Sequence, residues 1–329
     1  MTKVAVVILN YNGRSYLERF LPHLIEHTPD ADIIVADNAS TDDSVKLLKD
    51  QFPSIRLIQL EKNHGYAGGY NHALTEVKAE YYVLLNSDIE VSDRWLAPLI
   101  YFLDSNENYA GCQPKILDFN KRDYFEYAGA AGGYVDRFGY PFCRGRIFDH
   151  IEKDHGQYDD ETDVTWASGA CLVMRSKIYH ELGGLDQDFF AHMEEIDLCW
   201  RVLNKGYLFR FIPSSVVYHV GGGTLTKASA FKTFLNFRNG LFLLIKNMPL
   251  RSLLWKFPIR LKMDWIAFLR FILMGEFSHA IAIPKAHIYV IRYFGKMVRK
   301  RTKPFNASHK HYSIVYRYFI RKKKVYSDY

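Results

Sequence analysis

Four apolar runs near the start of the chain alternate with segments of helical spacing, and this alternation limits the possible folds more than any other feature. The runs are residues 3–9, 33–36, 55–60 and 81–85. Short runs rich in Val, Ile and Leu are typical of strands buried on both faces, and the segments between them carry apolar residues every three to four positions. The alternation predicts an α/β fold with a parallel, doubly wound sheet.

The fourth run ends in three small polar residues, Asn86, Ser87 and Asp88. Ligands of parallel sheets bind outside the carboxyl ends of the strands, so these side chains are expected at a binding edge. Asp88 is well placed there to hold a divalent cation against a phosphate. The alternative is a structural Asp88 that caps the helix predicted near Trp95.

A dinucleotide site is the first function that such a sheet suggests, and the sequence argues against it. The fingerprint G-x-G-x-x-G should follow the first strand, but residues 10–13 read N-Y-N-G, and the glycines of residues 65–69 follow the third strand. Asp37, at the end of the second strand, can still accept hydrogen bonds from a ribose or a base edge. Ordinary turn chemistry is the alternative for Asp37.

A helix predicted to begin near Glu194 carries three carboxylates that face different directions. Asp197 and Arg201 are four residues apart and can pair on one face. Glu194 lies on roughly the same side as Asp197, whereas Glu195 points about 100° away from Glu194. Glu195 is therefore the carboxylate most free to face a site. The alternative is that the acids simply favour the helix dipole.

Charge divides the chain into two unequal parts. Residues 1–224 contain 21 Lys and Arg against 33 Asp and Glu, and residues 225–329 contain 22 against 3, within a formal net charge of +7. The basic part mixes aromatic residues with Lys and Arg at helical spacing, which suits the surface of an anionic membrane. A helical subdomain with solvated charges is the alternative. Nucleic acid is not expected as a partner, because no recognition motif occurs there.

Other segments exclude further classes of protein. No window reaches about 18 uncharged apolar residues, so no transmembrane helix is expected, and the first apolar run is too short for a signal peptide. The four cysteines lack a C-x-x-C pair, which favours buried free thiols in a reducing cytosol over a zinc site. Residues 118–163 are predicted to be irregular and mobile, and the tail 321–324 to be disordered.

Seven pieces of the first two thirds of the chain together resemble glycosyltransferase family 2. In order they are residues 10–12 (NYN), 35–42 (VADNASTD), 63–71 (NHGYAGGYN), 84–88 (LLNSD), 166–170 (WASGA), 194–197 (EEID) and 218–219 (YH). The resemblance implies an inverting enzyme with the GT-A fold, which is Rossmann-like with a mostly parallel sheet flanked by helices. The pieces look most like the branch that contains rhamnosyl and galactofuranosyl transferases.

The resemblance also implies roles for individual residues. Asp37 would hold a uracil or thymine ring, and Asp42 would support its loop. Asp88 would bind Mg2+ or Mn2+ on the donor diphosphate, with His219 as an additional metal ligand. Glu195 would be the catalytic base that takes the proton of the acceptor hydroxyl. The other implied nucleotide-sugar contacts are Asn10, Asn38, Asn63, Gly65, Asn71, Asn86 and Ser87, and Trp166, Gly169, Ala170 and Glu194 would lie on the acceptor side.

Two positions depart from the family pattern. The usual D-x-D reads Asn86-Ser87-Asp88, so an amide replaces the first carboxylate and metal is expected to bind weakly until the nucleotide arrives. The base position carries Glu195 where Asp is commoner. Glu is about as basic as Asp, but its longer arm changes the geometry of proton transfer.

The expected protein is an inverting, metal-dependent glycosyltransferase that moves a sugar from a UDP- or dTDP-sugar to a lipid-linked or growing surface polysaccharide. A GT-A catalytic domain is expected over residues 1–224 and a basic, aromatic-rich helical extension over 225–329. Membrane-surface binding by the extension would place the protein in the cytoplasm, peripherally on the cytosolic face. A catalytically inactive nucleotide-sugar-binding or scaffold protein of the same fold is the alternative, which Asn86 favours and the intact Asp88, Glu195 and His219 oppose.

Overall fold

The structure is a computed structural model that describes residues 2–221, 229–302 and 310–329. Its strands are β1 (Thr2–Asn10), β2 (Asp32–Asp37), β3 (Arg56–Gln59), β4 (Ala79–Asn86), β5 (Ile89–Val91), β6 (Tyr109–Asp118), β7 (Gly133–Val135), β8 (Pro141–Cys143), β9 (Arg146–Ile147), β10 (His150–Ile151), β11 (Thr162–Val164), β12 (Cys171–Arg175) and β13 (Leu208–His219). The α-helices are α1 (Arg14–Glu26), α2 (Ser44–Gln51), α3 (Gly65–Thr75), α4 (Leu96–Ser105), α5 (Ser176–Glu181), α6 (Glu194–Asn204), α7 (Ala230–Asn247), α8 (Leu250–Leu273) and α9 (Phe277–Arg299). Short helical turns lie at Gln187–Phe189, Tyr316–Ile320 and Tyr326–Asp328.

The main sheet has the strand order β11-β13-β6-β12-β4-β1-β2-β3, with β5 paired to β13. Strands β1 to β4 are parallel to their neighbours within this group, as the alternation of strands and helices predicts. Strand β12 then runs antiparallel to both β4 and β6. The sheet is therefore parallel on the side of the first four strands and mixed beyond β4.

Apolar side chains fill both faces of this sheet. The run at residues 81–85 on β4 is almost fully buried, as predicted. Side chains of α1, α2 and α4 pack on one face, and those of α3, α5, α6 and α7 pack on the other. Each fully buried large side chain contributes roughly 1.5–3 kcal/mol relative to exposure, so this strand is firmly anchored. The four cysteines are free and buried, as predicted.

The prediction that residues 118–163 are mobile is wrong. Strands β7 to β10 form a second, four-stranded sheet there, and Val135 and Ile147 within it are fully buried, as is Ala130 in the turn before it. The glycines that suggest flexibility serve close packing instead: a Cβ on Gly133 would lie 2.1 Å from the ring of Trp166. The side chain of Lys323, within the tail expected to be disordered, donates to the carbonyl of Asp328 at 2.7 Å.

Helix α7 belongs to the same apolar core as the sheet. Asp197 on α6 accepts hydrogen bonds from Lys246 at 2.8 Å and Asn247 at 2.9 Å on α7, besides the predicted pair with Arg201 at 2.8 Å. The expected domain boundary at residues 224 and 225 lies outside the described residues. The first helix described after it, α7, packs on the sheet through this shared core.

Helices α8 and α9 form a pair that a buried ionic cluster joins to the second sheet. Asp264 of α8 accepts from Arg260 at 3.0 Å and faces His287 of α9 at 3.1 Å, and Arg260 stacks on the ring of Tyr140 near β8. Within the described residues, none of the helices combines the length and apolarity needed to span a bilayer.

Candidate active site

The carboxyl ends of β1, β2 and β4 meet at one edge of the sheet, because these strands are parallel neighbours. Asn10 at the end of β1 is in register with Asp37 at the end of β2, and Leu9 is in register with Asn86 at the end of β4. The structure thus brings together three side chains that lie 27 to 76 positions apart along the chain. This edge is the place where ligands bind in open α/β sheets.

Asp37 is buried beneath this edge and its carboxylate is already engaged. Asn10 donates to it at 3.0 Å, and the backbone and side chain of Ser40 donate to it at 2.9 and 2.5 Å. These bonds satisfy both carboxylate oxygens, and Ala39 adopts a left-handed φ of 61° between the bonded residues. Asp37 therefore fixes the shape of the loop 37–42 at this edge of the sheet.

Asn38 connects this loop to the start of α3. Its carbonyl oxygen accepts from the backbone of His64 at 2.9 Å, and its amide donates to the Asn63 side chain at 3.0 Å. Asn63 in turn accepts from the backbone of Gly65 at 2.8 Å. Gly65 has a φ of 68°, and a Cβ there would approach the carbonyl of Phe190 to 3.2 Å, so glycine suits both demands.

Asp42 and Asn71 hold backbone segments. Asp42 accepts from the backbones of Arg14 at 3.1 Å and Ser44 at 3.0 Å, which ties the start of α1 to that of α2. Asn71 exchanges hydrogen bonds with the backbone of Leu185, at 2.7 and 2.9 Å, and accepts from the Tyr179 hydroxyl. The hydrogen bonds of Asn71 link α3 to the turn after α5 and do not join it to the other predicted nucleotide contacts.

The predicted metal ligands lie side by side. The Nε2 atom of His219, at the end of β13, is 3.1 Å from Oδ1 of Asp88 and 3.3 Å from the amide nitrogen of Asn86. On the other side of the imidazole, Nδ1 is 3.2 Å from Oε1 of Glu126. Strand β13 pairs with β5, the strand that directly follows Asp88, and this pairing closes the gap of 131 positions between Asp88 and His219.

Charges in this cluster reinforce one another. Burial by itself lowers the pKa of His219, but the carboxylates of Glu126 and Asp88 outweigh it and raise the pKa to about 10. Burial likewise favours protonated Asp88 and Glu126, and the His219 charge outweighs it, so both pKa values fall below their usual range. The pair of carboxylates therefore forms a buried site for one positive charge.

These residues fit a divalent cation. Two atoms that bind one metal ion stand about 3 Å apart, which matches the spacing between Asp88 Oδ1 and His219 Nε2. A metal-binding imidazole commonly donates its other nitrogen to a carboxylate. Oε1 of Glu126 is the carboxylate oxygen next to Nδ1 of His219, but the two are not aligned as a hydrogen bond in this structure. The Asn86 amide, turned over, would offer its carbonyl oxygen as a third ligand.

The segment 166–170 joins this cluster to the carboxylates of α6. Ala170 accepts a hydrogen bond from the backbone of Asn86 at 3.0 Å, and Gly169 accepts from the hydroxyl of Tyr66 at 2.6 Å. A Cβ on Gly169 would lie 3.6 Å from Cβ of Glu195. Trp166 is buried and donates to the carbonyl of Tyr134 at 2.9 Å, so it supports this segment from the second sheet.

Glu194 and Glu195 differ in exposure as the helical geometry predicts. Glu194 is buried, and its Oε2 has no hydrogen-bond partner among the described residues. Glu195 is half-buried beside Gly169. Burial raises the pKa of Glu195 to about 7, and burial together with the charge of Glu195 raises the pKa of Glu194 well above its usual range. Glu195 is thus the more accessible of two acids that are ready to hold a proton near neutral pH.

The turn before α6 is strained and is held from α7. Phe190, His192 and Met193 have left-handed φ values of 65°, 66° and 73°, a conformation that costs non-glycine residues roughly 1–3 kcal/mol each. Asn239, fully buried on α7, donates to the carbonyls of residues 189, 191 and 192 at 3.1, 2.9 and 2.6 Å. Arg238 donates to the Asn239 side-chain oxygen at 2.8 Å, which orients the amide.

Three residues of this site are absent from the set predicted from the sequence. Tyr66 lies within the segment 63–71, but it is uncharged, so its residue type gave no reason to select it. Glu126 is the one acid of residues 124–135, a stretch otherwise of aromatic, aliphatic and glycine residues, and that isolation is the signal that could have found it. Asn239 lies in the basic part of the chain, where the sequence offers no sign of a link to α6.

Comparison with known proteins places the chain in a family. The sequence profile described as Glycosyl transferase family 2 matches residues 5–183. The N-acetylglucosaminyl-diphospho-decaprenol L-rhamnosyltransferase of Mycobacterium tuberculosis is 26% identical over 243 residues, which span 65% of this chain and 75% of that protein. The dTDP-rhamnosyl transferase RfbF of Shigella flexneri is 24% identical over 261 residues, 75% of this chain and 81% of that protein.

Solved structures share the fold. The structure of GalNAc-T7 with UDP, GalNAc and Mn2+ superimposes with a TM-score of 0.58 and 17% identity, over 74% of this chain and 48% of that one. This chain thus spans about half the length of that protein. The likeness identifies the architecture as the GT-A fold predicted from the sequence, with a helical C-terminal region formed by α7, α8 and α9.

Proposed function

Because this chain belongs to glycosyl transferase family 2 and is a glycosyltransferase, we propose that it transfers a sugar from a UDP- or dTDP-sugar to a lipid-linked or growing surface polysaccharide. In this proposal the reaction is inverting and depends on a divalent cation. The observation that carries it is that the segment 166–170 contacts Asn86, which lies beside the Asp88–His219 pair, on one side and Glu195 on the other, while Asp37 lies at the same edge of the sheet.

Glu195 is proposed as the general base. A base works best when its pKa lies near the pH of the reaction, and the half-buried Glu195 has a pKa raised to about 7. Its neighbour on α6, Glu194, is buried with no hydrogen-bond partner for its Oε2 among the described residues, and it is proposed to lie on the acceptor side of the site. Tyr66 and the 166–170 segment would line the space between the base and the donor.

Asp88 and His219 are proposed to hold Mg2+ or Mn2+, with Asn86 beside them. When bound, the cation would neutralise the charge of the departing nucleoside diphosphate. Glu126 would keep the Nδ1 proton of His219 in place, so that Nε2 is free to bind the ion. Because Asn86 adds no charge, the nucleotide is expected to complete the site.

The choice of donor and acceptor rests on the relatives. The Shigella relative is named for a dTDP-rhamnosyl donor, and the mycobacterial relative is named for a lipid diphosphate acceptor. Both are rhamnosyltransferases, so a dTDP-sugar is the first donor to test and UDP-sugars are the second. A polyprenyl diphosphate that carries a sugar is the first acceptor.

The metal assignment is tested by titrating UDP and dTDP with and without Mn2+. Mn2+ should tighten nucleotide binding of the wild type about tenfold or more, and Asp88→Asn should abolish this gain because it removes the carboxylate charge. The control is Asp93→Asn, an exposed acid five residues further on. Equal tightening in wild type and Asp88→Asn would show that the metal binds elsewhere.

We further propose that residues 225–329 act as the membrane-binding part of the protein. The outward surfaces of α8 and α9 are apolar: Leu254, Ile266, Leu273, Ile288 and Ile291 are each at least 66% exposed. The only acids of residues 229–302 are Asp264, which is buried, and Glu276. Paired helices with an apolar face and an excess of cations suit the interface of an anionic bilayer. Such binding would place the protein peripherally on the cytosolic face, next to a lipid-linked acceptor.

A further inference from the structure

A groove of about 1020 Å³ lies beside α8, away from the sheet edge that forms the candidate active site. One wall is the turn after β7, with Arg137 and Phe138, and another is the middle of α8 at Met263. The tail supplies the remaining wall, including Arg317 and Arg321. No residue that lines this groove belongs to the set assigned to the donor, the metal or the base.

Cations dominate the lining of this groove. Arg137, Arg317, Arg321 and Lys323 all face it, and Asp328 is the one acid among its lining residues. Within the part of the chain that the structure describes, none of these four cations forms an ion pair with a carboxylate. Lys323 instead donates to the carbonyl of Asp328. The groove therefore gathers four cations against one acid among the residues that line it.

The arginines are oriented by aromatic rings rather than by acids. Arg317 lies 4.1 Å from the ring centre of Tyr312, and Arg321 lies 5.7 Å from that of Tyr316. Arg137 lies 5.6 Å from the ring centre of Trp255 on α8. A ring that covers the face of a guanidinium leaves its N–H edge free, and that edge matches the oxygens of a phosphate.

Crowding of the cations extends beyond the groove itself. Burial lowers the pKa of Lys256 on α8, and the nearby charge of Arg137 lowers it further. Like charges held this close repel one another, and a bound anion would relieve the repulsion.

The groove borders the apolar surface of α8. Trp255, which stacks with Arg137, is 45% exposed on that helix. Further along α8, Arg270 stacks on Phe319 of the tail, and the adjacent Ile320 is 65% exposed. A ligand in the groove would therefore have cations around its polar end and exposed apolar side chains beside it.

We propose that this groove binds the phosphate group of an anionic lipid whose acyl chains lie along α8. The alternative source of the same chemistry is a free phosphate, but a free phosphate would make no use of the apolar border. This inference rests on the proposed membrane binding and is independent of the proposed transfer reaction.

The test measures binding of short-chain lipids below their micelle concentration, so that no bilayer charge contributes. Wild type should bind dihexanoyl phosphatidylglycerol saturably and more tightly than dihexanoyl phosphatidylcholine. Arg317→Gln combined with Arg321→Gln should weaken phosphatidylglycerol binding about tenfold or more. The matched control, Arg292→Gln combined with Arg299→Gln on α9, removes the same charge outside the groove and should change binding less than about twofold.

A second variant controls for misfolding of the tail in the Arg317 and Arg321 double variant. Arg137→Gln lies in a different wall of the groove, and it should weaken phosphatidylglycerol binding with no loss of the tail's contacts. Equal losses in the groove and control pairs would overturn the proposal, as would no effect of Arg137→Gln. Inorganic phosphate that binds as tightly as the lipid would also overturn it, in favour of a free phosphate. Transfer to a water-soluble acceptor should stay unchanged in all these variants, which separates this test from that of the reaction.

Discussion

Glu195 differs from the neighbouring acids of α6 in having both access to solvent and a raised pKa. Asp197 is tied to Lys246 and Arg201, and Glu194 is buried. Glu195→Gln should therefore lower kcat by about 10² to 10⁴-fold and leave donor binding unchanged, since Gln keeps the size but cannot take a proton. Sugar transfer and nucleotide titration measure the two effects. Glu181→Gln, on the surface of α5, is the control; a variant Glu195→Gln with full turnover would move the base elsewhere.

The raised pKa of Glu195 predicts how the rate depends on pH. A general base acts in its deprotonated form, so kcat should rise with pH and level off above a midpoint near 7. The measurement is kcat at saturating donor and acceptor between pH 5 and 9. A midpoint near the ordinary Glu value of 4.5 would contradict the assignment, because it would place the base in open solvent.

Glu194 should reduce stability at neutral and alkaline pH. Its folded-state pKa lies well above 4.5, so the folded protein retains a proton that the unfolded chain releases, and stability falls as pH rises above 4.5. Glu194→Gln removes this penalty. Its melting temperature should match that of wild type near pH 4 and exceed it increasingly up to the folded-state pKa. A difference that is independent of pH would mean that packing, not ionisation, distinguishes the two proteins.

At the scale of elements, α7 controls the turn that presents the base. Asn239→Ala would remove the hydrogen bonds that the Asn239 side chain donates to the carbonyls of residues 189, 191 and 192. The carbonyl of Phe189 would keep its bonds from Arg238 and from the backbone of Ala191. We expect kcat to fall about 10²-fold through misplacement of Glu195, with the donor KM little changed. Stability should also fall, by roughly 1–3 kcal/mol.

The control for this prediction is Asn120→Ala, on the exposed turn after β6. Thermal unfolding gives the folded fraction of each variant at the assay temperature, and kcat is compared per folded molecule. If the loss of turnover equalled the loss of folded protein, α7 would stabilise the fold without positioning the base.

For the whole molecule, the orientation at a membrane follows from where the exposed apolar residues lie. Ile266→Ser combined with Leu269→Ser on α8 should weaken binding to phosphatidylglycerol vesicles about tenfold or more, because it removes two exposed apolar side chains from the contact. The measurement is vesicle co-flotation. Tyr101→Ser combined with Ile25→Ser makes a comparable change on α4 and α1 and should have no effect. Equal binding by all three proteins would refute the membrane role of α8.

Point substitutions suit this test better than truncation after residue 223. Helix α7 shares its core with the sheet, and Lys246 and Asn247 pair with Asp197 beside the site. Removing all of residues 225–329 would therefore expose the core and disturb α6 along with any membrane contact. The change in net charge along the chain therefore does not mark a boundary in packing.

Much of the secondary structure of this protein, and the position of several site residues, could be predicted from local patterns in the sequence alone. Buried strands occur in the sequence as short apolar runs. Strands β1 to β4 and the polar residues at their ends could therefore be predicted from the spacing and type of the residues alone. The different directions of Glu194, Glu195 and Asp197 followed from the helical repeat of 100° per residue. These features depend on neighbours within a few positions.

Only the tertiary structure decided what depends on distant neighbours. Glu126 reaches His219 because residues 118–163 fold into a second sheet. The strands of this sheet are short and its glycines are needed for packing, so its sequence resembles that of a mobile loop. Asn239 reaches the turn before α6 because α7 folds back onto the core. The sequence placed Asp88 at a strand end, but its partner His219 comes from β13 through the pairing with β5. Such contacts form when separate elements pack, and no local pattern of residues records them.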